Sequence, residues 1–206
     1  EHGDVDLTKA ITKSCNVYFA EAAQELGASA LAAEAKNFLF NSDMDFNDIV
    51  MAESVYDKTT DSNNLGWSAI GQYHDLVTPL HACMIAGAIA NDGVMMEPKL
   101  LLSVSGGVSS GYQLSPSVAA RPTDRSTADD LTEMMIACVQ SGTGKKAAID
   151  GYVVAGKTGT AEVAAGDGNQ SHAWFVGFID DEEHPLCIAV ILEYAGSGGS
   201  NAAPVA

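Results

Sequence analysis

The run Gly151-Tyr152-Val153-Val154-Ala155-Gly156-Lys157-Thr158-Gly159-Thr160-Ala161-Glu162 constrains this chain more than any other. It can be folded in two ways that exclude each other. Spelled G-x-x-x-x-G-K-T, it is the pattern of a phosphate-cradling loop that hands over to a helix at its lysine. Spelled as a strand, it sets Lys157, Thr158 and Gly159 in succession along an extended segment.

Context separates the two. A phosphate loop needs a buried strand before its first glycine, and Lys145-Lys146-Ala147-Ala148-Ile149-Asp150 is no such strand. The four loop positions would be Tyr, Val, Val and Ala, three of them residues that favour strands. Gly159 would fall in the first turn of the helix, where glycine costs about 1 kcal/mol relative to alanine. The strand reading fits residues 152–163, with Gly159 marking a place where another backbone comes close.

Ser14-Cys15-Asn16 lies far upstream. A lone Ser-x-Asn carries little information, because serine and asparagine are also good helix caps. Ahead of a Lys-Thr-Gly strand it completes two of the three elements, in chain order, of a serine acyl-transfer site. Further stretches match the same family: Lys13 to Phe19, Ala69-Ile70-Gly71-Gln72, Val77 to Leu80, Ala88 to Met95, Ser141 to Ala147 and His172 to Phe178. Together they span nearly the whole chain, which resembles the transpeptidase domain of class B, monofunctional penicillin-binding proteins.

The third element is not found. The residues three positions before the lysines are Asp6, Ala10, Ala33, Val55, Met96, Gly142, Thr143 and Val154, so there is no Ser-x-x-Lys. The resemblance places the nucleophilic serine and its lysine upstream of Ser14. The expectation is a domain truncated before its nucleophile, inactive alone; a natural pseudoenzyme is the alternative.

The resemblance implies acyl transfer on peptides ending in D-Ala-D-Ala, through a serine ester. In that scheme Ser14 relays a proton to the leaving nitrogen. Asn16 holds a substrate carbonyl, and Lys157 biases the relay and attracts the terminal carboxylate. Thr158 and Thr160 donate to that carboxylate, and the Thr160 N–H forms half of an oxyanion hole. Gly159 leaves room for substrate to add as a strand. The implied partners are peptidoglycan stem peptides, β-lactam antibiotics and cell-wall synthesis or division proteins. The implied location is the extracytoplasmic face of the bacterial membrane, reached through an N-terminal tether not present here. A D,D-carboxypeptidase, a β-lactam sensor and a non-catalytic wall-binding module share these motifs.

Composition narrows the classes. The 206 residues carry a net charge of −17, which speaks against nucleic acid as a partner. The longest apolar run, Leu186 to Leu192, is far short of the roughly 20 residues of a membrane span. None of the five histidines stands at metal-ligand spacing, and no cofactor is expected. The four cysteines permit disulfides, but Cys15, Cys83 and Cys138 sit on apolar helical patterns that suit buried free thiols.

Local signals predict helices over 6–12 with an Asp6 cap, 15–26 ended by Gly27, 28–38, 79–90 behind Thr78-Pro79, and 128–139 capped by Ser126 or Thr127. Residues 41–64 read as loop and 100–104 as a strand. Strands follow over 152–163, 173–180 and 186–194, the last two joined by an acidic turn, and 196–200 read as a flexible loop. Helices first and a C-terminal antiparallel sheet second make an α+β fold. It is expected to be β-lactamase/transpeptidase-like but incomplete: one partial domain over 1–206, mainly helical over 1–150 with sheet strands over 151–206.

Overall fold

The structure is a computed structural model that describes residues 2–46, 49–105, 111–162 and 171–206. Three helices open it: α1 (Leu7–Lys13), α2 (Asn16–Leu26) and α3 (Ala28–Asn37). Asp6 caps α1 by accepting from the Lys9 N–H at 2.7 Å. Gly27, at φ 82°, ends α2 in a conformation that suits a residue without Cβ. Two short strands, β1 (Asp45–Phe46) and β2 (Ile49–Val50), pair antiparallel. They precede α4 (Ser62–Ser68), capped by Asp61, and α5 (Pro79–Ala90), capped by Thr78 with proline at its first position.

The stretch 41–64 is thus not all loop. It holds a two-stranded ribbon and the start of α4, a helix that Asn63, Asn64 and Gly66 disguise in the sequence. Its fold comes from packing: a Cβ at Gly66 would lie 3.3 Å from Ala20 Cβ, so α4 presses directly on α2.

Four short strands follow, β3 (Met95–Met96), β4 (Ser103–Val104), β5 (Tyr112–Gln113) and β6 (Val118–Ala120), paired β3 with β6 and β4 with β5. The strand expected over 100–104 is confined to its last two residues. Helix α6 (Arg125–Ser141) begins earlier than the sequence suggests. Its cap is Asp124, whose carboxylate accepts from the Thr127 N–H at 2.8 Å, rather than Ser126 or Thr127. Asp124 has an extended backbone, and Ser126 and Thr127 are already helical.

The C-terminal sheet is antiparallel in the order β7 (Val154–Glu162), β8 (Ser171–Ile179), β9 (Cys187–Leu192). In the β8–β9 turn, Asp181 accepts from the Glu183 and His184 N–H groups. Lys157 pairs with Val176, Thr158 with Phe175 and Gly159 with Trp174. The Phe175 ring lies across Gly156, where any Cβ would collide with it. Gly156 therefore serves core packing, and the phosphate-loop spelling is a coincidence. Phe175 is buried among Val139, Ala147, Val154, Ala173, Ala202 and Ala203. Burying such a ring stabilises by about 1.5–3 kcal/mol. The other face of β7 packs Ala155 with Phe178 against Ala86 of α5 and Met135 of α6.

Residues 196–200 are not a simple loop. Gly198–Ala202 forms a wide helical turn, and Gly198 sits against the carbonyls of Gly159 and Trp174, closer than a side chain would allow. All four cysteines are free thiols: Cys15 and Cys138 are buried, Cys83 is half-buried and Cys187 exposed. Among the described residues no helix is long and apolar enough to cross a membrane.

Candidate active site

The two distant motifs meet at one place, and the chain between them explains how. The turn after α6 packs on the end of α1: Thr143 N–H donates to Thr12 O at 3.2 Å. Gly142 allows this, since a Cβ there would collide with the Thr12 carbonyl. That contact carries the α1–α2 junction to the groove side of β7.

Ser14 occupies the junction in a left-handed conformation, φ 54° and ψ 58°. For a residue with Cβ this costs on the order of 1–2 kcal/mol. Its N–H is spent on the carbonyls of α1, while its hydroxyl accepts from Lys157 Nζ at 3.0 Å. Neither Ser14 nor Asn16 caps a helix through its side chain. The cap of α2 is Cys15, which makes no side-chain capping bond. The polar ends of Ser14 and Asn16 instead line the groove beside β7.

Lys157 also donates to the Thr158 carbonyl at 2.8 Å. Burial pushes its ammonium below the usual lysine value, and the neighbouring Cys138 sulfur acts in the opposite sense. The Thr158 hydroxyl is buried and lies 2.6 Å from that of Thr143, which is 3.5 Å from Cys138 Sγ. Thr160 is tied at two points: its hydroxyl accepts from the Gly198 N–H at 3.3 Å and its carbonyl from Gln72 Nε2 at 3.1 Å. A hydroxyl that accepts can still donate.

In an antiparallel strand the N–H and C=O of one residue point to the same side. The Thr160 carbonyl meets Gln72 on the edge away from β8, so the Thr160 N–H faces that edge as well. Among the described strands β7 pairs only with β8, leaving this edge for an incoming chain. The groove encloses about 680 Å³ and is lined by all six expected residues, Ser14, Asn16, Lys157, Thr158, Gly159 and Thr160.

All 206 residues match the family model for the penicillin-binding protein transpeptidase domain. The chain belongs to this family. It is 35% identical to the peptidoglycan D,D-transpeptidase PbpA of Mycolicibacterium smegmatis, over 98% of this chain and 42% of that protein. It is 31% identical to the peptidoglycan D,D-transpeptidase MrdA of Haemophilus influenzae, over 100% of this chain and 36% of that one. Its fold superposes on the ceftriaxone acyl-enzyme of penicillin-binding protein A from Mycobacterium tuberculosis with a TM-score of 0.90. The two share 33% identity over 98% of this chain and 46% of that chain. The chain thus spans less than half the length of these relatives.

Within this transpeptidase-family groove, Gln72 and Thr143 are functional candidates beyond the motif residues. Both lie in stretches whose resemblance was legible, Ala69–Gln72 and Ser141–Ala147. Nothing in those stretches foretold a bond to Thr160 or Thr158, because each contact joins separate elements that only packing brings together. Among the described residues no group of His, Cys, Asp and Glu is placed to hold a metal ion.

Proposed function

We propose that this chain carries the substrate strand and proton relay of a peptidoglycan D,D-transpeptidase, and that the attacking serine comes from a Ser-x-x-Lys segment outside these 206 residues. The Lys157–Ser14 hydrogen bond at the open edge of β7 carries this reading. It is supported by the transpeptidases to which the chain is similar and by the β-lactam acyl-enzyme of its structural relative.

In the proposed reaction the serine oxygen attacks the penultimate carbonyl of a stem peptide. Its proton passes through Ser14 to the departing D-Ala nitrogen as the C–N bond breaks. The amine of a second stem peptide then attacks the ester. A new C–N bond forms, the C–O bond breaks, and a proton returns to the serine. Lys157 assists twice: as a cation it attracts the donor's carboxylate, and its Nζ–H orients the Ser14 lone pairs. Thr160 offers its N–H to the carbonyl oxygen as charge develops there, and its hydroxyl to the carboxylate. Thr158, expected from the sequence to donate to the carboxylate, instead positions the strand, because its hydroxyl is buried against that of Thr143. Asn16 lies where it can hold the donor's amide. A β-lactam would acylate the same serine. The proposed location is the outer face of the cytoplasmic membrane.

The absence of a Ser-x-x-Lys favours one second reading, a non-catalytic module that holds wall peptide or a partner protein. Fluorescent penicillin separates the two. A longer form of the protein carrying a Ser-x-x-Lys helix should be labelled, its Ser→Ala variant should not, and the 206-residue chain alone should stay unlabelled. An unlabelled longer form sinks the enzyme reading; a stoichiometric adduct on the chain alone refutes the external serine.

A further inference from the structure

A second groove, of about 390 Å³, runs between α2 and α4. It adjoins the first, and Asn16 and Ile70 line both. Its far end is tied shut: Gln24 Nε2 donates to Ser62 O at 2.6 Å, and Ser62 Oγ donates to Gln24 Oε1 at 3.0 Å. Its lining mixes apolar Val17, Trp67 and Ile70 with polar Asn16 and Asn63 and faces solvent, with Trp67 50% exposed and Val17 65% exposed. The charged side chain in the lining is Glu21.

An indole and a carboxylate lining one groove are the elements of an organic-cation site. The net charge of −17 supplies long-range attraction of the same sign. The opposite polarity lies at the Lys157 end of the first groove. The donor peptide, with its terminal carboxylate, suits that end, and an amine-bearing peptide suits the α2–α4 end.

We propose that the α2–α4 groove is the acceptor subsite, which receives the amine-bearing side chain of the second stem peptide; this rests on the transferase reading above. Glu21 and Trp67 collect the ammonium form. Past Asn16 the amine approaches the Lys157 cation, and that like charge favours its neutral, nucleophilic form. Its proton goes to solvent before attack. The attack then forms the C–N bond, breaks the ester C–O bond and returns the second amine proton to the serine oxygen.

Two measurements test this. The first titrates the chain itself by calorimetry with a tripeptide whose lysine ε-amine is free and whose C-terminus is amidated, beside its Nε-acetylated twin. Amidation removes any carboxylate that Lys157 could bind. The free amine should bind at least about fivefold tighter, E21Q should erase that preference, and W67A should weaken both peptides. Equal binding of the twins, no binding of either, or a preference that survives E21Q overturns the proposal. The second uses the longer form carrying a Ser-x-x-Lys segment and follows how its acyl-enzyme divides between aminolysis and hydrolysis. In E21Q the acceptor concentration for half-maximal aminolysis should rise about five- to tenfold, a shift of about 1–1.4 kcal/mol. An unmoved acceptor requirement, or an equal fall in penicillin acylation, overturns the acceptor role. Absence of penicillin acylation in the unmodified protein instead marks failure of the transferase reading itself.

Discussion

Lys157 Nζ donates to Ser14 Oγ at 3.0 Å although 143 residues of chain separate the two. The bond joins an edge strand to a helix junction, and neither element could hold the geometry alone. In a longer form that carries a Ser-x-x-Lys segment and is acylated as proposed, K157A and S14A should each slow penicillin acylation by about 10²–10³-fold, within the usual range for a lost acid–base group. Stopped-flow acylation kinetics would check this. A change below threefold for both would remove the pair from the relay.

The half-buried Lys157 ammonium loses its proton at a lower pH than a free lysine, because desolvation disfavours the charged form. Its charge is present below that lowered value and lost as pH rises through it. The alkaline limb of the acylation rate should therefore set in below the ordinary lysine value of 10.5. In K157A that limb should vanish. A limb unchanged in K157A would assign it to another group.

Gln72 holds the Thr160 carbonyl and thereby the register of the strand edge. Q72A should lower acylation about tenfold, roughly 1.4 kcal/mol in the barrier, with little change in melting temperature. An equal loss of stability would make Gln72 structural instead.

Gly156 lies under the Phe175 ring, so G156A should overpack the sheet and cost about 1–3 kcal/mol. Urea unfolding measures this directly. If Gly156 instead lined a phosphate loop, the variant would keep its stability.

His81 is fully buried on α5, with Nε2–H donating to Phe38 O at 2.7 Å and Nδ1 without a partner among the described atoms. Burial lowers its pKa below the usual 6.5. The unfolded chain therefore takes up a proton first as pH falls. The stability contributed by neutral His81 is present above about pH 6.5 and is lost below it, toward the lowered folded value. Melting temperature should fall on acidification through that window, with a shallower slope in H81Q.

Much of the fold was legible where local chemistry decides. Asp6, Gly27 and Thr78-Pro79 set helix ends through caps and backbone freedom, and these ends stand as read. The acidic β8–β9 turn and the strand through Lys157-Thr158-Gly159 were legible for the same reason, although the strand starts at Val154 and not at Tyr152. Helix α4 and the turn at Gly198–Ala202 were not. Their Asn- and Gly-rich sequences favour no regular structure alone, and each forms because a glycine lets it approach another backbone.

The same division holds for the groove. The sequence by itself determined which side chains could do acyl-transfer chemistry: Ser14, Asn16 and the Lys157–Thr160 strand. Only the tertiary structure decided how they meet. The left-handed turn at Ser14, the Gly142–Thr12 contact and the bonds from Gln72 and Thr143 to β7 join segments that no local preference relates. Such contacts form because burying the Phe175 and Met135 cores brings those segments together. Composition and spacing carry no record of where an edge strand will face.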